Sequence, residues 1–231
     1  MSDIVVRNVV TRNLGLQSYE PIWRRMQDFT DSRDASTPDE IWFCQHKPVF
    51  TLGLNSAPEH LLATGDIPVV QIDRGGQVTY HGPGQLMIYP LIDIRRADIG
   101  VRELVTALEQ CVVDLAAEYG IEAASRCDAP GVYVEGVKLA SIGLRIRRGA
   151  SFHGMALNVD VDLEPFSRIN PCGLQGLEVT DLGKLGAEKN LDAVRDKLLP
   201  HLLRHLRLGD AILLPVEGFE SLDRADVRPA T

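Results

Sequence analysis

The sequence predicts an α+β fold with a mixed, mostly antiparallel sheet and flanking helices. Many short runs of apolar and β-branched residues are bounded by Gly, Pro or Asn, and three longer stretches have helical spacing. Strands and helices do not alternate regularly, as they would in a parallel βαβ fold. The 231 residues suit a single domain. We expect residues 1–215 to form that domain and residues 216–231 to be a weakly ordered tail.

The first half of the chain contains one long predicted helix and several short strands. Residues 18–29 are predicted to be helical because Tyr19, Ile22 and Met26 recur at helical spacing. Residues 31–40 are polar and predict a loop. The predicted strands cover residues 4–10, 41–44, 49–52, 69–72, 77–80 and 86–91, with a short helix at 58–62 and a turn at 81–84.

The second half begins with the clearest helix, which is predicted over residues 101–119. Its apolar stripe starts at Leu104, and Gly120 is placed to end the helix. The remaining predicted elements are a hairpin of residues 131–134 and 137–146, a strand at 152–161 and a helix at 190–206. In that last helix Asn190 is the predicted N-cap, and Pro200 predicts a kink or a break.

Charge and cysteine content exclude several classes of protein. The formal net charge of -8 disfavours a nucleic-acid partner. The first residues lack the pattern of a secretory signal, and no apolar run approaches the roughly 20 residues that cross a bilayer, so we expect no membrane partner. The cysteines, which form no CxxC pair, are Cys44, Cys111, Cys127 and Cys172. This spacing disfavours a disulfide framework or a structural zinc site, and we expect a reduced cytoplasm.

Lys138 occupies an unusual position in the predicted strand 137–146. In a regular strand it shares one face with Ala140, Ile142, Leu144 and Ile146, which are all apolar. Burial disfavours a charged ammonium, so a lysine at such a position suggests a chemical role. The alternative is that its long stem reaches the sheet edge and places the ammonium in solvent.

Cys172 lies in the sequence NPCG, which predicts a rigid turn. A desolvated amine that faces a loop thiol can form an activated nucleophile pair, so Lys138 and Cys172 are candidates for joint chemistry. In isolation, Cys172 is equally explained as a small buried hydrophobic residue.

The segment from Arg74 to Gln85 contains glycines that let backbone amides approach a ligand. Its alternative explanation is a set of tight turns. No Gly-Lys-Ser/Thr follows, which excludes a phosphate-binding P-loop, and no dinucleotide fingerprint is present. His81 and His153 each stand beside a glycine and can orient a substrate or share a proton, although a histidine satisfied by a backbone carbonyl explains them as well. His46 also fits an ordinary loop residue.

A basic cluster of three arginines ends the predicted hairpin. Arg145, Arg147 and Arg148 fit either a solvated strand end or a docking patch for an acidic partner. The composition alone does not choose between the two.

Five segments in this order resemble the octanoyltransferases of lipoate biosynthesis, the lipoate-protein ligase B family. They are HKPVFTLG at 46–53, RGGQVTYHGPGQ at 74–85, GVKLASIG at 136–143, SFHGMALN at 151–158 and INPCG at 169–173. The resemblance covers most of residues 15–185, and the helix around Tyr19 is similar too. The polar loop near residues 31–39 and the tail after about residue 210 match nothing distinctive.

The resemblance implies a biotin- and lipoate-protein ligase-like fold and an acyltransferase. The implied reaction moves an octanoyl group from octanoyl-acyl carrier protein to a specific lysine of lipoyl domains. The implied acceptors are 2-oxoacid dehydrogenase E2 subunits and the glycine cleavage H protein. Cys172 is implied as the acyl-thioester nucleophile and Lys138 as its acid/base partner, with no metal and no cofactor.

The resemblance also implies a substrate-binding surface. Its residues are Arg74, Gly75, Gly76, Gln77, Val78, Thr79, Tyr80, His81, Ser141, Ile142, Gly143, Gly154, Met155 and Ala156. His153, Tyr19 and His46 are further candidates for orienting the substrate. Backbone amides near Gly75 and Gly76 are candidate donors to the tetrahedral oxyanion.

Three other functions remain open at this point. An ATP-dependent lipoate or biotin ligase of the same fold would need an adenylate site. A cysteine hydrolase would use Cys172 with His81 or His153 and release a free acid. A catalytically silent acyl-binding module would tolerate the loss of Cys172.

Overall fold

The computed structural model describes residues 8–209 and 211–219. Its strands are β1 (Asn8–Gln17), β2 (Asp39–His46), β3 (Val49–Leu52), β4 (Val69–Gln71), β5 (Val78–His81), β6 (Gln85–Leu91), β7 (Ala124–Ser125), β8 (Gly131–Val134), β9 (Val137–Arg147), β10 (Ala150–Asn158) and β11 (Ile212–Glu217). Its helices are α1 (Tyr19–Ser32), α2 (Val101–Glu118) and α3 (Leu191–His205), with short 3₁₀ helices at Pro58–His60, Glu164–Arg168 and Pro171–Gly173.

The main sheet has the strand order β11-β1-β2-β6-β10-β9-β8-β7. Strand β1 pairs in parallel with β11 and β2, and the other pairs in this sheet are antiparallel. A smaller sheet has the order β4-β3-β5. The predicted α+β fold with a mixed, mostly antiparallel sheet is therefore confirmed.

Helices cover both faces of the main sheet. Along β2, Ile41 and Phe43 belong to the core cluster beneath α2 and α3, whereas Trp42 and Cys44 belong to the cluster beneath α1. This alternation is what a strand with two covered faces requires. The residues that build the functional site come from the α1 side, from the start of α2 and from the end of the sheet near β8.

The predicted helices are confirmed, with small changes at their ends. Gly120 has φ +72°, and its amide donates to the Ala117 carbonyl, so it ends α2 as predicted. The Asn190 side chain accepts from the Ala193 amide at 3.0 Å, which is the predicted N-cap. Of the predicted kink or break at Pro200, the break does not occur, because α3 continues to His205 and buries Leu202 against the core.

Two predictions about strands and loops need correction. Strand β1 runs to Gln17, well past the predicted end at residue 10, while residues 4–7 lie outside the described part. The predicted loop 31–40 is shorter, because α1 includes Ser32 and β2 begins at the buried Asp39. Ion pairs from Arg33 and Arg96 to Asp39 let that carboxylate enter the sheet.

Strand β11 was absent from the prediction. It occupies residues just before the predicted tail and pairs with β1, and it includes residues 216 and 217 of that tail. Residues 220–231 lie outside the described part of the chain. Within the described ranges, no helix combines the length and the apolar character needed to cross a membrane.

Candidate active site

Lys138 and Cys172 lie in direct contact. The Lys138 Nζ donates to the Cys172 Sγ at 2.9 Å and to the Pro130 carbonyl at 3.1 Å. The lysine is 1% exposed, whereas Cys172 is half-buried. The sequence pattern predicted both residues but could not show that they meet. Their geometry is that of a thiol held by a buried amine.

The backbone of Cys172 is in the left-handed region, with φ 58° and ψ 17°. This conformation is uncommon for a residue other than glycine and costs on the order of 1 kcal/mol or more. Surrounding hydrogen bonds hold it, since the Asn170 amide donates to the His60 carbonyl and the Gly173 amide donates to the Asn170 carbonyl. The turn therefore fixes where the thiol points.

A β-bulge sets the direction of Lys138. Tyr133 pairs with Lys138 and Val132 pairs with Ala140, which leaves Leu139 as an extra residue in β9. Lys138 consequently faces the side opposite to Ala140. The prediction that Lys138 shares a face with Ala140, Ile142, Leu144 and Ile146 is wrong, because the alternation assumed a regular strand. Those four residues contact the core beneath α2 and α3, and Lys138 contacts Cys172.

Gly131 provides the space for the lysine stem. A β-carbon at this position would lie 2.4 Å from the Ala140 carbonyl oxygen and 2.8 Å from the Lys138 Cε. Its φ of +140° also disfavours other residues. The start of β8 is thus shaped around the side chain of Lys138.

A cavity of about 340 Å³ opens beside Cys172. Cys172 lines it, while Lys138 lies behind the thiol and does not. Its predicted lining residues are Tyr19, Arg74, Gly75, Gly76, Gln77, Val78, Thr79, His81, Ser141, Ile142, Gly143, His153, Gly154, Met155 and Ala156. Tyr80 is an exception, because its ring packs against Phe50 and Phe166. A volume of this size suits a small apolar ligand.

Arg74 places a buried guanidinium in the cavity wall. It donates to the Thr51 carbonyl at 3.0 Å and to the Gly75 carbonyl at 2.9 Å. Gly53 and Gly143 make room for it, since a β-carbon on either would lie 2.9 Å from an Arg74 side-chain atom. Burial lowers the pKa of Arg74.

One candidate oxyanion donor is already occupied. The Gly75 amide donates to the Leu144 carbonyl at 3.0 Å, so it is not available to a substrate oxygen. Of the candidate amides near Gly75 and Gly76, this one already has a partner, and the others remain candidates. The predicted glycine segment serves here to fasten the Arg74 loop to β9.

His46 and His81 lie in an aromatic cluster with Tyr19 and Tyr89, in which His81 lines the cavity and His46 does not. His46 is the last residue of β2, is fully buried and contacts the Tyr89 hydroxyl at 2.7 Å. It is therefore not an ordinary loop residue. His81 contacts the Gln85 Oε1 at 2.7 Å and stacks on Tyr19. Burial lowers the pKa of His46 to about 4 and that of His81 well below its ordinary value. Both rings are neutral at neutral pH.

His153 reaches the same cluster through a local change of backbone direction. Its φ of +58° interrupts the strand alternation, so that Phe152 and His153 stack on each other. The His153 Nε2 lies 2.8 Å from the Asp73 Oδ1, and its Nδ1 lies 3.5 Å from the Tyr19 hydroxyl. Burial lowers the pKa of His153. The partners of His153 are thus side chains, and the alternative that a backbone carbonyl satisfies this histidine is not observed.

Asp73 anchors this part of the site. Burial by itself would raise the pKa of its carboxyl, but hydrogen bonds from His153 and Trp23 hold that pKa well below the usual range. The Trp23 indole donates to the Asp73 Oδ1 at 2.8 Å. Sequence reasoning missed Asp73, because an acid beside an arginine is ordinary.

The three arginines of the basic cluster are not equivalent. Arg147 pairs with Asp31 at 2.8 Å, and Arg148 donates to the Asp31 carbonyl. Arg145 is exposed. Two of the three are therefore engaged within the chain, which leaves Arg145 as the strongest candidate of the cluster for contact with a partner.

Several lining residues were missed by sequence reasoning. They include Met87, Tyr89, Val101, Val105, Asp128, Ala129, Pro130, Leu144 and Leu174. Met87 and Tyr89 are two residues apart in the predicted strand 86–91, so strand alternation could have placed them on the same face. Val101 and Val105 come from the first turns of α2, where their spacing is that of ordinary packing. Within residues 8–209 and 211–219, no cluster of His, Cys, Asp and Glu is arranged to hold a metal.

Comparison with known sequences gives a consistent family. The model of the lipoyl protein ligase A/B catalytic domain matches residues 18–203. An octanoyltransferase from Hahella chejuensis is 60% identical over 199 residues, covering 86% of this chain and 89% of the relative. Another from Pseudoalteromonas atlantica is 58% identical over 212 residues, covering 92% and 97%.

Solved structures share the fold at low sequence identity. A putative lipoate protein ligase from T. acidophilum has a TM-score of 0.72 and 15% identity, covering 93% of this chain and 90% of its own. A lipoate-protein ligase A bound with ATP has a TM-score of 0.68 and 15% identity, covering 91% and 89%. A biotin protein ligase from Aquifex aeolicus has a TM-score of 0.52 and 12% identity, covering 88% and 71%.

Proposed function

This chain belongs to the lipoyl protein ligase A/B catalytic-domain family as an octanoyltransferase, and from this premise we propose that it transfers octanoyl groups through Cys172. The donor in this proposal is octanoyl-acyl carrier protein, and the acceptor is a specific lysine of a lipoyl domain. The observation that carries the proposal is the 2.9 Å contact between Lys138 and a thiol that lines the cavity.

In the first step, Lys138 takes the thiol proton and the Cys172 sulfur attacks the thioester carbonyl carbon. The bond from that carbon to the carrier sulfur breaks, and the leaving thiolate receives the proton from the Lys138 ammonium. The products are octanoyl-Cys172 and the free carrier thiol. The contact to Pro130 keeps the amine beside the reacting sulfur throughout.

In the second step, the neutral amine of the acceptor lysine attacks the acyl-cysteine. The carbon–sulfur bond to Cys172 breaks, and Lys138 accepts the surplus proton of the new amide. Thioester exchange is nearly balanced and amide formation is downhill, so the route needs no nucleotide. A reduced thiol must persist between turnovers, and for that reason a cytoplasmic location is part of the proposal.

The cavity supplies the specificity for the acyl chain. Its apolar lining includes Met87, Val105, Ile142, Leu144 and Ala156. Each methylene that leaves water contributes about 0.8 kcal/mol to binding, so the depth of the cavity can select chain length. The proposed acceptors are lipoyl domains of 2-oxoacid dehydrogenase E2 subunits and the glycine cleavage H protein.

The test is intact-protein mass spectrometry of the enzyme mixed with octanoyl-acyl carrier protein and then with an apo lipoyl domain. We expect an octanoyl adduct at Cys172 that is discharged onto the acceptor lysine without ATP. Cys172→Ala should form no adduct and transfer nothing. The matched control is Cys127→Ala, since Cys127 is an exposed thiol outside the cavity lining.

Other outcomes identify other functions. Transfer that requires ATP and free octanoate would replace the proposal with an ATP-dependent ligase. Release of free octanoate without amide formation would support a hydrolase. Carrier binding that survives Cys172→Ala, with no transfer by the parent enzyme, would leave a binding module.

A further inference from the structure

One peptide group connects Lys138 to a buried carboxylate on α2. The Pro130 carbonyl accepts from the Lys138 Nζ at 3.1 Å. The amide of the same peptide, which belongs to Gly131, donates to the Glu109 Oε1 at 2.9 Å. The C=O and N–H of a trans peptide point in opposite directions. Glu109 and Lys138 therefore bind the two ends of a single peptide dipole.

Glu109 is an unexpected residue at its position. It is 8% exposed and lies on α2 next to Leu108, which is fully buried in the core. Among the described residues, its carboxylate accepts the Gly131 amide and forms no ion pair. Burial raises the pKa of Glu109, while the hydrogen bond from Gly131 and the charge of Lys138 act in the opposite direction. Burying this acid costs free energy. An apolar residue at the same position of α2 would pack without that cost.

The peptide between Pro130 and Gly131 lies at the start of β8, with Pro130 outside the strand. Gly131 opens β8 and packs directly against the Lys138 stem. A carboxylate that accepts an amide proton draws negative charge toward the carbonyl of that peptide, which makes the carbonyl a stronger acceptor. The carbonyl of Pro130 is the acceptor that places the Lys138 ammonium, so this polarisation acts on the catalytic pair.

We propose that Glu109 is a positioning residue, which orients and polarises the Pro130–Gly131 peptide so that its carbonyl holds Lys138 against Cys172. This inference rests on the proposed function, because it assigns Glu109 to the same reaction. Glu109 touches neither the substrate nor the sulfur, and it does not line the cavity. Its effect passes through the peptide and the lysine.

The other polar and charged groups around Lys138 either have their own partners or do not act on its ammonium. The Tyr133 ring on β8 lies 5.1 Å from the Nζ. Asp128, which lines the cavity, pairs with Arg126 at 2.6 Å. Glu178 contributes its carbonyl, which accepts from the Lys138 amide, and the charge of Arg74 interacts with Cys172. Glu109 is thus the carboxylate that interacts with Lys138 through the Pro130–Gly131 peptide.

The experiment compares Glu109→Gln and Glu109→Ala with the parent enzyme. Gln keeps an acceptor for the Gly131 amide but removes the charge, whereas Ala removes both. The matched control is Glu118→Gln, which removes one charge from an exposed position on α2. For each protein we would measure kcat and KM for octanoyl transfer, and the rate at which iodoacetamide alkylates Cys172 as a function of pH.

We expect Glu109→Ala to lower kcat by roughly 10- to 100-fold, the size of a lost hydrogen bond to a charged group, with little change in KM for the donor. Glu109→Gln should recover part of kcat. In both variants the pH profile of Cys172 alkylation should differ from that of the parent, because the negative charge behind the Pro130–Gly131 peptide is gone. Glu118→Gln should match the parent in every measurement.

Parent-like kcat and alkylation profiles in both variants would overturn the inference. So would a kcat loss in Glu109→Gln without any change in the pH profile, because that pattern indicates a structural role alone. If Glu109→Ala does not fold, Glu109→Gln decides the question. A parent enzyme that forms no adduct at Cys172 would instead overturn the proposed function, so the two failures are distinguishable.

Discussion

The two ends of the cavity bury polar groups in opposite ways. At the reactive end Cys172 and Pro130 line the cavity and Lys138 contacts both from behind. At the aromatic end Tyr19, His81, Tyr89 and His153 line it, and His46 packs against Tyr19 and Tyr89. At the reactive end an amine meets a thiol and a carbonyl on a bulged strand and a left-handed turn. At the aromatic end burial lowers the pKa of the histidines and raises that of the tyrosines.

The difference shows what decides the character of a buried site. Burial disfavours charge, and at the aromatic end it lowers the pKa of His153 even though the Asp73 carboxylate lies 2.8 Å away, so this end is a set of neutral hydrogen-bonding rings. The reactive end supplies donors and acceptors that a proton can move between. One end is suited to proton transfer and the other to holding a substrate in a fixed orientation. The predictions below test this division, beginning with the largest expected effect.

Lys138→Arg should reduce octanoyl transfer by about 10²- to 10⁴-fold, the usual contribution of a general acid/base. Arginine keeps the positive charge but exchanges no proton at neutral pH. Single-turnover transfer, monitored by mass spectrometry, measures the loss at each step. A variant with near-parent rates would mean that Lys138 acts only as a charge, and the reactive end would then resemble a binding site.

Gly131→Ala should damage the reactive end without removing any reactive group. The new β-carbon would contact the Ala140 carbonyl oxygen and the Lys138 Cε, and the backbone there is unfavourable for alanine. We expect stability to fall by roughly 1–3 kcal/mol, as for other overpacked positions, and kcat to fall further than stability explains. Denaturant unfolding and transfer kinetics measure the two effects. Gly136→Ala is the control, since no atom lies near its β-carbon position although its φ is also positive.

The aromatic end should make stability depend on pH. The pKa of His46 falls from 6.5 in the unfolded chain to about 4 in the fold. Unfolded chains therefore bind the proton first, and stability declines as the pH falls from 6.5 toward 4. One such group accounts for about 3 kcal/mol across that window. His46→Gln should flatten the curve of unfolding free energy against pH, and an unchanged slope would mean that His46 is not held neutral.

The same comparison explains what the sequence could and could not predict. Helices with clear spacing, the hairpin and the N-cap at Asn190 follow from local rules, and the structure has them. The bulge at Leu139 and the positive φ of His153 do not follow, because periodicity assumes regular backbone. Each of these two irregularities turns a side chain toward the site.

Residues of the site were predictable where they lie in distinctive segments. Lys138 stands out as a lysine in an apolar strand segment, although the face assumed for it was wrong, and Cys172 stands out by its turn, so both could be chosen from the sequence. Glu109, Tyr89 and Asp73 could not, because each is an ordinary member of a helix, a strand or a loop until the fold brings it to the cavity. Strand β11 was missed because its partner β1 lies some 200 residues earlier, as Asn8 pairs with Ile212.

The smallest effect is expected from a charge outside both ends. Arg145 is exposed, and its charge lowers the pKa of His153 without any direct contact. Arg145→Glu should weaken the affinity for the acidic carrier protein by a few-fold at low salt, since exposed charge pairs contribute about 0.2–1 kcal/mol. The effect should vanish at high ionic strength, and kcat at saturating donor should stay unchanged. Lys184→Glu is the control, because it reverses an exposed charge that does not line the cavity. Equal losses of affinity in both variants would indicate a general charge effect. A fall in kcat for Arg145→Glu alone would show that this surface charge affects the aromatic end, and that the aromatic end in turn affects the reaction at Cys172.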